Sequence, residues 1–369
     1  MQITEIAYRR IDLTMKQSFQ TAHDRTKKRP LMLIELTIDH QATGYGEVQA
    51  FENHEYAPQN QEDAQKWLDK NVPTIVGYQG NSLEDLLNGL PEDGQFARAG
   101  LEMAIWDAVG KLSNRSLADM LGEHSNQVPV SIALGLEDFE SLSSAYEQGY
   151  KRIKLKQAGR KVSLIQEVTT RYPNQRFSLD FNASLPLSVE TMTYLSELRD
   201  LGIDLIEEPF ADAEYSTYKN VQKILEPMKI SLDEQLNGLS DVNRWLENSE
   251  VSAFTLKQGK LGGISVLLSA QKNILIAKRL PWIGGMLASG LGRAVDAALT
   301  SQLPQPQYPA DISKETRYFT NDITIHDLTF RNGYAQVPTE PGIGVELDWN
   351  AIHTQQIGEV KRFNLLQKG

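Results

Sequence analysis

The chain of 369 residues contains no cysteine, which excludes a disulfide framework, a thiolate metal site and a cysteine nucleophile. Histidine is scarce: the six, His23, His40, His54, His124, His326 and His353, fall at no strand end of the repeat described below. A His base or a Ser–His–Asp arrangement therefore has no support. Positive charge is also in deficit. Lys and Arg number 37 against 48 Asp and Glu, a formal net charge of −11, whereas a nucleic-acid partner would want a basic face. No apolar stretch reaches the roughly 18 residues that suggest a membrane span. LLSAQKNILIA at 267–277 is broken by Gln271, Lys272 and Asn273, and reads as an amphipathic helix. The opening MQITEIAYRRIDL lacks the apolar core of a signal peptide, and there is no G-x-x-x-x-G-K-[ST] phosphate loop. The expectation is a cytoplasmic protein, monomer or homo-oligomer, that meets neither nucleic acid nor membrane and acts on a small molecule.

What is present begins with an ordinary globular balance, 40% hydrophobic and 23% charged. ITEIAYRRIDL, LMLIELTIDH and TGYGEVQ read as strands, with Gly44 and Gly46 at a connecting turn. Helical spacing follows, clearest in FARAGLEMAIWDAVGKL, where Ala99, Met103 and Trp106 share one face. Strands followed by helices predict an α+β unit over residues 1–125. From about Val128 the rhythm alternates strand and helix, and this many repeats imply a parallel α/β barrel over 126–318, with YPADISK at 308–314 as its last strand. Strands and turns return over 319–369, a segment expected to pack back on the first unit.

Five charged residues recur about once per βα repeat. Lys156, Asp180, Glu207, Asp233 and Lys257, spaced 24, 27, 26 and 24 residues apart, stand at the ends of RIKLK, RFSLD, DLIEE, KISLD and AFTLK. Any one acidic residue at a strand end is usually a helix cap or a solvated loop group. Five in register, carboxylates flanked by lysines, instead converge on the mouth of a barrel, where catalytic groups sit. Oxygen donors without His or Cys favour Mg²⁺ over zinc, with Mn²⁺ as a substitute. Glu208 and Glu234 follow ligand candidates and should point the other way in a strand. Asn182 and Glu234 are candidates to support the metal shell. Lys154 alternates with Leu155, so it faces the mouth beside Lys156. Two neighbouring ammonium groups near a cation depress each other's pKa, so that one can act as a base. GKLGG at 259–263 suits a tight turn into a helix whose N-terminus could hold a carboxylate. A metal with a flanking lysine suggests removal of a proton α to a carboxylate.

KLK at 154–156, DFN at 180–182, IEEP at 206–209, LDE at 232–234 and LKQGKLGG at 256–263 resemble the enolase superfamily, specifically its muconate-lactonising-enzyme-like subgroup. WIGGMLASGLGR, FARAGLEMAIWD, PADIS and RYF look like the branch of o-succinylbenzoate synthases and N-acylamino acid racemases. The resemblance implies a modified (β/α)₇β TIM barrel, of class α/β, under an α+β capping domain built from both chain ends. It implies Mg²⁺ on Asp180, Glu207 and Asp233, Lys156 as acid/base with Lys154 in electrostatic support, and Lys257 on the opposite face. It further implies a carboxylate substrate met by Gly285, Met286, Ser289 and Arg25, the last in a covering loop over 17–29. The implied reaction is dehydration of 2-succinyl-6-hydroxy-2,4-cyclohexadiene-1-carboxylate to o-succinylbenzoate for menaquinone synthesis. Racemisation of N-succinylamino acids is the alternative, with dipeptide epimerisation or a binding protein that no longer catalyses behind it. Three departures bear on substrate choice: Ala288 where many relatives carry an acid, Phe181 at an often small position, and His23-Asp24 in the covering loop.

Overall fold

The computed structural model describes residues 1–20, 25–136, 138–156, 160–211, 213–314 and 317–365, with the side chains of 17–20 and 25–26 outside the described set. Strands β1 (Ile3–Gln20), β2 (Arg25–Ile38) and β3 (Ala42–Val48) form an antiparallel sheet. In β2, Leu36 and Ile38 are buried while Glu35 and Thr37 are half-buried, the alternation of a sheet with one face on a core. Asp39 and His40, at φ 53° and 55°, make the turn between β2 and β3. Gly44 and Gly46, expected at that turn, lie inside β3 instead. Helices α1 (Gln61–Ile75), α2 (Leu83–Asn88), α3 (Gln95–Ser113) and α4 (Leu117–Leu121) follow. A Cβ on Gly44 or Gly46 would stand 2.0 Å from the carbonyl oxygen of Ala104 or Gly100, so the glycines exist to let α3 lie directly on β3.

Helix α3 is buried on nearly all sides rather than on one face, Phe96, Arg98, Leu101, Glu102 and Ile105 included. The reason is its position between the cap sheet and the barrel. The carboxylate of Glu102 pairs with Arg98 at 2.6 Å. It also accepts the Ser265 backbone N–H at 2.5 Å, in the first turn of a barrel helix.

After β4 (Gln127–Pro129) the barrel begins. Its strands and helices are β5 (Ser131–Gly135), α5 (Phe139–Glu147), β6 (Arg152–Lys156), α6 (Val162–Arg171), β7 (Phe177–Asp180) and α7 (Val189–Asp200). They continue through β8 (Leu205–Glu207), α8 (Tyr215–Leu225), β9 (Lys229–Leu232), α9 (Leu239–Asn248) and β10 (Ala253–Leu256). The short α10 (Gln258–Leu261), then α11 (Ile264–Ile276), β11 (Leu280–Ile283) and α12 (Gly290–Ser301) complete it. The parallel sheet runs in the order β5 to β11 without a crossover. Its ends are joined through Ala310 and Asp311, where a final strand was expected. Ser131 N–H donates to Ala310 O at 2.7 Å, and Asp311 N–H donates to Ile283 O at 3.0 Å. A single residue on each side closes the ring, giving the modified barrel.

The chain then adds β12 (Phe330–Arg331), β13 (Tyr334–Gln336), α13 (Trp349–Gln355) and β14 (Gln356–Asn364). Strand β14 pairs antiparallel with β1, Ile6 opposite Phe363, so the cap contains both chain ends. Among the described residues no helix is long and apolar enough to cross a membrane.

Candidate active site

Strand register brings the charged residues together. Lys156 is level with Asp180 on the neighbouring strand, and Asp180 with Glu207 on the next. Asp233 and Lys257 each stand one residue beyond their strands, β9 and β10. One cavity between cap and barrel is lined by Lys154, Lys156, Asp180, Asp233, Glu234 and Lys257. Glu207 is fully buried beside it.

Lysines sit between the carboxylates. Lys154 Nζ is 2.9 Å from Glu207 and 3.6 Å from Asp180, and it also pairs with Asp311. Lys156 Nζ is 3.2 Å from Asp180. Lys257 Nζ is 2.6 Å from Asp233 Oδ2 and donates to the Tyr56 hydroxyl at 2.6 Å. That hydroxyl in turn donates to Asp233 Oδ1 at 2.7 Å. Lys260 reaches the Asp233 carbonyl at 2.5 Å from behind.

These contacts set the charges. Burial acts to lower the pKa of Lys154, but Asp311, Glu207 and Asp180 outweigh it and hold the group well above its ordinary value. The expectation that the lysine pair would depress this pKa fails, because alternation along a strand predicts direction and not partners. Lys257 is likewise raised, burial being overcome by Asp233 and Glu207. Burial pushes Glu207 up to about 7 despite Lys154. Asp180 and Asp233 are held below the usual carboxylate range, against burial, by Lys156 and Lys154 for the first and by Lys257 and Lys260 for the second.

Among the described residues no three acidic or histidine side chains stand close enough to form a ready cation cage; ammonium groups balance the carboxylates here. The donors nevertheless fit a hard cation. Among the described residues Glu207 Oε1 and Glu234 Oε2 are buried oxygens without a hydrogen-bond partner, and such acceptors call for a cation or a donor.

Asn182 donates to Glu234 Oε1 at 3.0 Å, linking the two supporting candidates. Glu234 does not turn away from the mouth, since β9 ends before it and strict alternation no longer applies. Glu208 does turn away, and accepts the Asp233 backbone N–H at 2.6 Å. Gly285, Met286 and Ala288 line the cavity. Ser289 is not among the lining residues; it is fully buried, caps α12 and donates to Glu47. Phe181 packs edge-on against Tyr194. The Arg25 side chain and the His23-Asp24 pair lie outside the described residues. The helix N-terminus after GKLGG does hold a carboxylate, the protein's own Glu102. Sequence reading missed the roles of Tyr56 and Asp311: Tyr56 comes from a cap loop, and Asp311, though inside the expected last strand, lies beyond the regular spacing of the charged strand ends.

Two family models match the chain: mandelate racemase/muconate lactonizing enzyme, N-terminal domain, over residues 4–122, and enolase C-terminal domain-like over residues 138–351. The o-succinylbenzoate synthase of Bacillus subtilis is 30% identical over 356 residues, 94% of this chain and 95% of the relative. The N-succinylamino acid racemase of Thermus thermophilus is also 30% identical over 356 residues, with the same coverage of 94% and 95%. A solved enolase-superfamily member from Listeria innocua superposes with a TM-score of 0.90 at 27% identity, over 99% of this chain and 100% of that one. Barrel, cap and both matched halves together place the chain in the enolase superfamily, within its muconate-lactonizing-enzyme-like subgroup.

Proposed function

We propose that the protein is a Mg²⁺-dependent o-succinylbenzoate synthase, a carbon–oxygen lyase. The observation that carries the reading is one cavity with amines on two walls, Lys156 at the end of β6 and Lys257 just after β10, and carboxylates between them. Asp180, Glu207 and Asp233 would hold the metal. When bound, a divalent cation stabilises the negative charge that gathers on the substrate carboxylate as its α-proton leaves.

The chain's residues do the rest. Lys156 takes the α-proton of 2-succinyl-6-hydroxy-2,4-cyclohexadiene-1-carboxylate. The resulting ammonium returns that proton to the departing hydroxide on the same face, so water is lost and the ring becomes aromatic. Lys154, paired with Asp311 and Glu207, keeps a fixed positive charge beside the base. Lys257 lies against the other ring face as a cation, oriented by Asp233 and Tyr56.

Racemisation of N-succinylamino acids is the second reading. It is favoured by two amines on opposite walls and by relatives of equal identity bearing that name. Purified protein with Mg²⁺ and the cyclohexadiene should lose the diene absorbance; in parallel, N-succinylamino acids in D₂O report α-proton exchange. Dehydration supports the synthase. Exchange without dehydration makes the racemase the activity, and silence in both sinks the two readings together.

A further inference from the structure

Helix α12 carries a carboxyl group that the proposed reaction does not use. Asp296 is 5% exposed and lines the same cavity as Lys257 and Arg293. Among the described residues its side chain has no hydrogen-bond or ion-pair partner; the 2.7 Å bond from the Thr300 hydroxyl goes to its backbone carbonyl. The cations that face it are committed elsewhere. Arg293 donates to Ala288 O at 2.8 Å, to Asp322 at 2.7 Å and to Asp327 at 3.2 Å. Lys257 donates to Tyr56 and Asp233. The acid that faces it, Glu47, is 1% exposed and is satisfied by Ser289 and Gln49.

An unpaired carboxylate in a nearly closed site that faces the buried Glu47 is costly, and such a group neutralises instead. Burial first, and then the charge of Glu47, push the Asp296 carboxyl well above the ordinary range, against Arg293 and Lys257. A carboxylic acid kept neutral this way is a hydrogen-bond donor. A carboxyl that donates is answered by a carboxylate or carbonyl oxygen, whereas an ammonium group has no lone pair with which to accept.

We infer that Asp296 determines specificity by donating a hydrogen bond to an oxygen at the end of the substrate's acyl arm, remote from the reacting carbon. The inference rests on the proposed function, in which both candidate substrates carry a succinyl arm. Titration calorimetry in Mg²⁺ buffer tests it with three 2-acylbenzoates whose arms end in carboxylate (o-succinylbenzoate), methyl (2-pentanoylbenzoate) or trimethylammonium. Wild type should bind the carboxylate arm about 10- to 100-fold more tightly than the methyl arm, the range of a hydrogen bond to a charged group. Asp296→Asn keeps an N–H donor and should keep that preference. Asp296→Ala should flatten it; if that variant fails to fold, Asp296→Leu, close in size and without a donor, takes its place. An unchanged preference in the donorless variant, or a wild type that prefers the ammonium arm, overturns the inference alone. A wild type that binds none of the three overturns the reading beneath it as well.

Discussion

The two walls of the cavity hold their amines differently. On the β6 wall the Lys156 side chain is 24% exposed and meets Asp180 at 3.2 Å. On the β10 wall the Lys257 side chain is 7% exposed, with Asp233 and Tyr56 both at 2.6 Å. An amine that takes and returns a proton needs room to follow a changing substrate. One clamped between a carboxylate and a phenol serves better as a fixed charge. The asymmetry therefore supports one-base chemistry on the Lys156 wall, which dehydration requires, over two-base exchange.

The largest expected break comes from Lys156→Ala. It should lower both dehydration and α-proton exchange by about 10²–10⁴-fold, the usual worth of a general base, as read from kcat/KM. Next, Glu207→Gln should weaken Mg²⁺ activation; activity lost to a chelator should return with added Mg²⁺ in wild type, and only at about tenfold or more higher Mg²⁺ in the variant. Lys257→Arg sharpens the contrast. Charge is kept but an accessible base is lost, so exchange should fall by about 10²-fold or more while dehydration stays within about tenfold. Equal loss of the two would count against unequal walls. The smallest effect belongs to Tyr56→Phe, which removes the hydroxyl between Lys257 and Asp233. Loss of one such bond is worth about 1 kcal/mol, or roughly fivefold in rate, and it should fall on exchange more than on dehydration.

Much of this site was legible because the βα repeat prints its strand ends at a steady spacing. Lys156, Asp180 and Glu207 lie level across β6, β7 and β8 because parallel register turns that spacing into adjacency. Legibility fails where the repeat stops. Asp311 falls in the segment read as the last strand, but the ring closes there through a few hydrogen bonds of Ala310 and Asp311 and the spaced charge pattern does not reach it; without it the charge on Lys154 was misjudged. Tyr56 arrives from the cap, and no local pattern ties a loop tyrosine to a lysine two hundred residues on. Glu234 faces the mouth because β9 ends at Leu232, and a period of two carries no information past a strand's last residue. The glycines of β3 were misread for a similar reason, since close packing and turning use the same residue.

The Glu102 carboxylate on the first turn of α11 ties the cap to the barrel. A Cβ on Gly263 would come within 2.1 Å of that carboxylate, so cap and barrel interlock through backbone and buried charge, with Arg98 also donating to the carbonyl of Gly262. Two halves joined this way melt together. Heating should give one calorimetric transition with van't Hoff and measured enthalpies in agreement, and a barrel expressed without its cap should neither fold stably nor assemble the Lys257 wall.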